Sequence, residues 1–338
     1  MPQVSPPTQI CSRLDPSKLR KGRQTRLRVE LIHDGTGQPI AVPVVVARGT
    51  RSGPVFGITA AIHGNELNGI PVIHRLLRSI DLAQLRGTIV CVVVVNVPGF
   101  LNHERYFVDG SDLNHIMPGK PDGSVAEVYA FRLQERIIHC FDYLVDLHTA
   151  SFGRANSLYV RADMTHEISA KMAYLQRPQI ILHNPASDYT LRGAAMQLGI
   201  PSITVEIRDP QRFQVEYIRR SLVGLRSLLS EVHMLPKRPV SLGPEPVLCE
   251  HSNWLYTQHG GLLDVLPSVM DHVKKGEIVA RITDIYGDRT AEYRCPTAGI
   301  VIGKSVNPVA QTGSRILHLG IIWKGKTAMF HRRHAAQA

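Results

Sequence analysis

Between residues 54 and 233, short apolar runs that can each be a buried strand alternate with longer segments of helical period, and this alternation constrains the fold more than any other feature. PVFGITAAI is followed by a stretch in which Leu67, Ile70, Val72, Ile73, Leu76, Leu77 and Ile80 recur at three- and four-residue intervals, and then by TIVCVVVVN. The pattern continues through a loop rich in Gly, Pro and Asp over residues 97–124 and a helix over about 125–140. The strand YLVDLH, a helix near 165–175, the strand SITVEI and a helix over about 213–233 complete it. A strand apolar on both faces must be covered on both, so this order predicts an α/β fold, with a mixed, largely parallel sheet sandwiched by helices. Ahead of it, TRLRVELIHD and AVPVVVARG flank the turn GTGQ and predict a hairpin or a sheet-edge pair.

The texture changes at LPKRPVSLGPEP. Beyond it the chain is made of short strands with Gly-marked turns: GGLLDVLP, EIVARITD, AEYRCP, GIVIGKSV and RILHLGIIW. They predict a separate small all-β domain. The expected organisation is a flexible arm over residues 1–22, an α/β domain over 23–240, and a small β-rich domain with the C-terminal tail over 241–338. A chain of 338 residues is long enough for two such cores.

Composition narrows the function. No segment approaches the roughly 18 uninterrupted apolar residues that cross a bilayer, so no membrane role is expected. The N-terminal residues hold no apolar core of signal-peptide length, and the expected location is the cytoplasm. The five cysteines are odd in number, widely spaced and without a CxxC pair, which argues against a disulfide framework and against a thiolate metal site. Any metal must then be held by His and carboxylate. The net charge of +11 invites a nucleic-acid reading, but the positive residues are scattered apart from residues 18–28 and the terminal HRRH, and no nucleic-acid-binding motif accompanies them. A basic surface attracting a small anionic substrate is the expectation, and the sequence leaves a homo-oligomer open.

In a parallel sheet, ligands bind beyond the carboxyl ends of the strands, so polar residues placed after apolar runs are the candidates. His63 and Glu66 come after one such run in ITAAIHGNELNG, His148 closes a second in YLVDLHTAS, and Glu206 lies near the end of a third in SITVEIRDP. A His and a carboxylate three residues apart, joined by a His from a neighbouring strand, make a three-ligand zinc site with an open fourth position. Hydrolysis at such a site needs a carboxylate to take a proton from water and pass it to the leaving amine, and Glu206 is the candidate. Asp112 reads equally as an acceptor for the outer nitrogen of His63 or as an Asx turn.

HGNELNG, RYFVDGSDLNHIMPG, VDLHTAS and TVEI, in this order and spacing, resemble the succinylglutamate desuccinylase/aspartoacylase family, relatives of the zinc carboxypeptidases. The resemblance spans about residues 40–235, and the trailing β unit is similar to the C-terminal domain these enzymes carry. It implies one Zn2+ per chain on His63, Glu66 and His148, with Glu206 as general base. It also implies that Arg105 polarises the scissile carbonyl and stabilises its oxyanion, and that Asn114 grips the substrate carboxylate. The activity it implies is a zinc-dependent deacylase that cleaves the amide bond of an N-acylated amino acid or related small amine. A zinc carboxypeptidase on short peptides and a metal-retaining binding protein are the alternatives. One departure matters: where the family pattern after DLN usually has Arg, this chain has His115, which cannot reproduce a bidentate guanidinium contact. Arg208 is the candidate to restore that charge and Arg192 is another possible anion contact, each with a surface position as its other reading.

Overall fold

The computed structural model describes residues 8–237 and 244–324. In chain order the first part runs β1 (Gln9–Cys11), β2 (Arg23–His33), β3 (Pro39–Arg48), β4 (Arg51–Ala60), α1 (Gly69–Ser79), β5 (Arg86–Val92), α2 (Val97–Leu101) and α3 (Val125–Arg136). It continues through β6 (Tyr143–His148), β7 (Arg154–Asn156), β8 (Leu158–Ala162), α4 (Glu167–Leu175), β9 (Ile180–His183), α5 (Leu191–Gln197), β10 (Ser202–Ile207) and α6 (Val215–Glu231). The C-terminal part is all strand: β11 (Val247–Tyr256), β12 (Gly261–Val265), β13 (His272–Val273), β14 (Ile278–Thr283), β15 (Arg289–Arg294), β16 (Gly299–Ser305), β17 (Val309–Ala310) and β18 (Arg315–Ile322).

The apolar runs are explained by what covers them. Along β5, Ile89 and Cys91 join one hydrophobic core while Val90 and Val92 join another, because successive side chains leave opposite faces of a strand. The first core is closed by α1, α4 and α6 through Val72, Leu76, Met172, Leu225 and Leu228. The second is closed by α3 and α5 through Ala126, Leu133, Leu191 and Ala195. Each fully buried Val, Leu or Ile contributes about 1.5–3 kcal/mol, so a polar residue on either face of β5 would be costly, and the run is unbroken for that reason. The centre of the sheet, β5-β4-β6-β10, is parallel, and antiparallel strands flank it. The fold class is therefore the mixed, helix-covered sheet with a later antiparallel region that the alternation predicts.

Two organisational expectations differ from the structure. Of the arm expected over residues 1–22, residues 1–7 lie outside the described residues and residues 8–22 are packed on the fold: β1 pairs in parallel with β2, the Leu14 amide donates to Arg136 O at 2.9 Å, and Leu14 is buried in the second core. The apolar residues of that segment, Ile10, Cys11, Leu14 and Leu19, are too sparse to form a pattern. Nor does hydrogen bonding stop at the Pro-rich segment. β11 pairs in parallel with β9 and antiparallel with β18, so a single fourteen-stranded sheet runs from β1 through β11, β18 and β16 to β13. Among the described residues, only β15-β14-β12-β17 forms a second sheet, packed on its own small core. Among them, too, no helix is long and apolar enough to cross a membrane.

Candidate active site

The carboxyl ends of β4, β6 and β10 meet at one point of the sheet. Beyond β4, Ala61 turns the chain through a left-handed conformation, φ +53°, held by amides that lie just past the end of β5: Val95 N donates to Ala60 O and Asn96 N to Ala61 O, each at 2.9 Å. Gly64 stands next in the turn because a Cβ there would lie 2.1 Å from the Gly99 carbonyl carbon and 2.2 Å from Phe100 N, so only glycine permits this approach of two backbones. Asn68, at the start of α1, donates to Ile207 O at 2.9 Å and so ties the turn carrying His63 and Glu66 to the end of β10. His148 and Glu206 are register partners on the paired strands β6 and β10, which places them side by side on one face of the sheet.

His63, Glu66 and His148 are buried and offer one ligand atom each, all within 4.8 Å of one another. Both imidazoles turn Nδ1 toward Glu66: His63 Nδ1 is 2.9 Å from Oε1 and His148 Nδ1 is 3.1 Å from Oε2. Their Nε2 atoms face carboxylates, His63 to Asp112 Oδ1 at 3.0 Å and His148 to Asp146 Oδ2 at 2.7 Å. Asp146 is fixed in turn by the Thr59 hydroxyl at 2.6 Å. Asp112 fulfils both readings of the sequence, since the same Oδ1 accepts from Asn114 N at 3.0 Å.

This donor set fits zinc. His63 Nδ1 is buried and, despite its short distance to Glu66, makes no hydrogen bond of acceptable angle. A lone pair so placed, with the outer N–H engaged by a carboxylate, is the state a metal-bound imidazole takes. Burial alone would raise the Glu66 pKa, but His63 and His148 hold it well below its ordinary value. Burial alone would lower the His148 pKa, but Asp146 and Glu66 carry it well above.

Arg105 grips Asp112 Oδ2 through Nε at 3.1 Å and Nη2 at 2.8 Å, and its Nη1 donates to Glu66 Oε1 at 3.0 Å and to the Ser151 hydroxyl. Glu66 also accepts from Thr149 N at 3.0 Å and Ser151 Oγ at 3.1 Å. Glu206 is buried, its Oε2 has no hydrogen-bond partner, and burial raises its pKa, with His148 acting in the opposite direction. These groups line a cavity of about 650 Å³ that also includes Asn114, His115 and Arg192.

Of the remaining candidates, Asn114 is buried, and its Oδ1 accepts from Leu191 N at 2.9 Å, which leaves its amide NH2 for the cavity. Arg192 is 1% exposed; its Nη2 donates to Pro185 O at 3.0 Å and to Asp188, and its Nη1 is buried without a partner. His115 is exposed at the rim. Arg208 does not line the cavity and so does not replace the absent arginine. Its backbone is left-handed, φ +59°, which turns it away from the line of β10. Its guanidinium then donates to Asn156 O at 3.1 Å and lies 4.6 Å from the Tyr217 ring centroid.

Sequence reasoning missed Asp146, Ser151, Arg154, Arg161, Trp254 and Arg315. Asp146 was within reach, as the carboxylate two residues before a candidate ligand in VDLH. The last two come from β11 and β18, so the C-terminal strands supply part of the cavity wall although they carry no catalytic motif.

The chain is 24% identical over 293 residues to the N-alpha-acetyl-L-2,4-diaminobutyric acid deacetylase of Halomonas elongata, covering 82% of this chain and 84% of that protein. It is 26% identical over 210 residues to the succinylglutamate desuccinylase of Pseudomonas paraeruginosa, covering 57% of this chain and 63% of that one. The product-bound ectoine utilization protein EutE of Ruegeria pomeroyi superposes with a TM-score of 0.81 at 21% identity, over 89% of this chain and 96% of that one. A succinylglutamate desuccinylase/aspartoacylase from Rhodobacter sphaeroides has the same fold, with a TM-score of 0.79 at 21% identity, over 92% and 98% of the two chains. Residues 52–232, just over half the chain, match the succinylglutamate desuccinylase/aspartoacylase catalytic domain, and the protein belongs to that family.

Proposed function

We propose that the protein is a zinc-dependent deacylase that hydrolyses the amide bond of an N-acylated amino acid or a closely related small amine. The observation that carries this reading is the pairing of two unlike carboxylates in one cavity. Glu66 lies between the Nδ1 atoms of two histidines and accepts from Thr149 N, Ser151 Oγ and Arg105, whereas Glu206 has an oxygen without a partner and a raised pKa. Carboxylates pushed apart in this way take different tasks, one as ligand and one as proton carrier. Both curated relatives carry names of enzymes that remove acyl groups from amino acids, which supports the same class.

His63, Glu66 and His148 would hold one zinc ion, which when bound supplies a water of lowered pKa and a Lewis acid for the amide carbonyl. The chain's own residues supply the rest. Glu206 accepts the water's proton on the free oxygen and delivers it to the departing amine, a transfer that contributes about 10²- to 10⁴-fold. Arg105, fixed by Asp112, presents a guanidinium to the negative charge that develops on the carbonyl oxygen. Asn114 and Arg192, which both line the cavity, orient the substrate carboxylate. A merely metal-binding protein has no use for a buried carboxylate with a free oxygen, which favours catalysis over that alternative.

The test is metal content together with amine release from a panel of N-acyl amino acids. Zinc at one equivalent per chain with release from at least one acylated substrate is the expected result. Bound zinc with no release from any acyl amino acid or short peptide would remove the enzymatic reading.

A further inference from the structure

Glu206 belongs to a grid of side chains on one face of the sheet. Register partners run Tyr159, Glu206, His148 across β8, β10 and β6, and a second row, two residues along the same strands, runs Arg161, Thr204, Asp146. Residues two apart on a strand share a face, so both rows project to one side. Within the grid, each reactive group of the first row has a charged neighbour in the second. Asp146 backs His148 Nε2 at 2.7 Å, and Arg161 reaches diagonally to Glu206, its Nε 3.7 Å from Oε1, a span that a long side chain covers between diagonal positions. Among the described residues this is the one ion pair that Glu206 makes, and Oε2 is left without a partner.

Arg161 is itself braced. Its Nη2 donates to the Tyr159 hydroxyl at 2.9 Å, and its Cζ lies 5.3 Å from the centroid of the same ring. Tyr159 is buried in a small core with Ile180 and Leu182 of β9, Cys249 of β11, and Ile300 and Ile302 of β16, and its ring meets His318 of β18 edge-on, with centroids 6.2 Å apart. Burial pushes the Tyr159 pKa up, so the hydroxyl keeps its proton and accepts from Arg161 as a neutral group. The glutamate it helps to place has three rotatable bonds, yet a general base works only when one oxygen points at the proton it takes. A guanidinium held beside Oε1 distinguishes the two oxygens and leaves Oε2 for that task.

We propose that Arg161, braced by Tyr159, is a positioning residue for the general base: it holds Glu206 by Oε1 so that Oε2 is presented to the water. The proposal rests on the deacylase reading and assigns Arg161 to Glu206, not to the substrate. It also gives the C-terminal strands a share in turnover, because β11, β16 and β18 wall in the tyrosine that braces the arginine.

The test uses the full zinc-loaded chain and amine release from the N-acetyl and N-succinyl derivatives of L-alanine, L-glutamate and L-ornithine, the fastest of which serves for the variants. Arg161→Gln should lower kcat about tenfold to a hundredfold, the cost of a misplaced catalytic group, with KM within about twofold and zinc content unchanged. Arg161→Lys should recover part of that loss, and Tyr159→Phe, which removes only the bracing hydroxyl, should lower kcat about three- to tenfold with KM unchanged. In a Glu206→Gln background Arg161→Gln should cost less than about twofold more, since its effect runs through the carboxylate. A rise in KM at constant kcat, a fall in zinc content that matches the fall in kcat, or a full second loss in the double variant would overturn the proposal. If Arg161→Gln does not fold, Tyr159→Phe decides alone, and an unchanged kcat in that variant counts against the bracing and the positioning together. Release from none of the six compounds by the unsubstituted protein would overturn the deacylase reading instead. Crystal structures of the zinc-loaded chain then decide the positioning: the Glu206 side chain should change rotamer in Arg161→Gln and keep its place in Arg161→Lys, and an unmoved carboxylate in Arg161→Gln removes the role.

Discussion

The two walls of the cavity are built on opposite principles. On the metal side, Glu66 accepts from Thr149 N, Ser151 Oγ and Arg105, both imidazoles are backed by carboxylates, and Asp146 is fixed by Thr59, while His63 Nδ1 is left without a partner as the proposed ligand atom. On the facing side, Glu206 Oε2 and Arg192 Nη1 are buried without partners, and Arg154 and Arg315 have no counter-ion among the described residues. A buried polar group left unpaired costs about 1–3 kcal/mol, so Glu206 and Arg192 are the groups of this wall that gain most from a partner. The contrast separates two tasks. The first wall holds its geometry before any substrate arrives, whereas the second gains its hydrogen bonds from the substrate.

If that division is right, the largest effect comes from the one group that belongs to the second wall and also handles the proton. Glu206→Gln keeps shape and burial but cannot take a proton, so turnover should fall about 10²- to 10⁴-fold with zinc content unchanged. Metal analysis beside amine-release kinetics decides it: near-normal turnover would assign the proton to another group. Breaking the first wall should look different. Asp112→Asn removes the negative partner of His63 and of Arg105, and should weaken zinc binding about 10- to 100-fold. Competition with a chelator measures this, and unchanged zinc affinity would mean that the backing of His63 is not needed.

The same division explains what the sequence could and could not show. His63, Glu66, His148 and Glu206 are legible because each sits at the end of an apolar run, and β4, β6 and β10 are apolar on both faces of a covered sheet. The wall built by Arg154, Trp254 and Arg315 is not, because it depends on pairings between distant segments. β11 joins β9 in parallel register across the Pro-rich segment, and no local pattern reports a partner some seventy positions away in the chain, as Val247 and Ile180 are. β8 and β9, at five and four residues, are too short for their periodicity to stand out. The place of Arg208 just after the base suggests a cavity residue, but a left-handed backbone at that position is not visible in the residue type.

His318 offers a smaller test, through stability. It is buried, and burial together with Arg161, Arg154 and Arg315 holds its pKa well below the ordinary value, so it is neutral in the folded protein. The unfolded chain takes a proton on this residue below about pH 6.5, and the folded protein does not. At higher pH both states are neutral and the residue makes no pH-dependent contribution. As pH falls below that point the unfolded state binds more protons, and stability drops by up to about 1.4 kcal/mol per pH unit until the folded-state pKa is reached. Other shifted groups also move the curve, so the readout is the difference between the unsubstituted protein and His318→Phe. Thermal unfolding between pH 7 and 5 should show the smaller decline in the variant. Parallel curves would mean that His318 is protonated in the fold.

The smallest expected effect is at His115, where the family's arginine is absent. Taken alone, the sequence suggests a large gain on restoring it, because a guanidinium would be the missing partner of a substrate carboxylate. The cavity changes that expectation. Arg192, 1% exposed with Nη1 free, already offers a buried donor on the same wall, and the Asn114 amide NH2 lines the same cavity. His115 itself is exposed at the rim, where an added guanidinium meets water and gains about 0.2–1 kcal/mol from an ion pair. His115→Arg should therefore lower KM for N-acyl amino acids by no more than about fivefold and leave kcat unchanged, as expected of a contact made equally in the ground and transition states. Combining it with Arg192→Gln tests whether the two positions share a carboxylate. If they do, the gain from the His115→Arg substitution grows when Arg192 is lost. A gain that is the same in both backgrounds would mean that the rim and the buried arginine serve different groups, and no gain in either would remove position 115 from substrate binding.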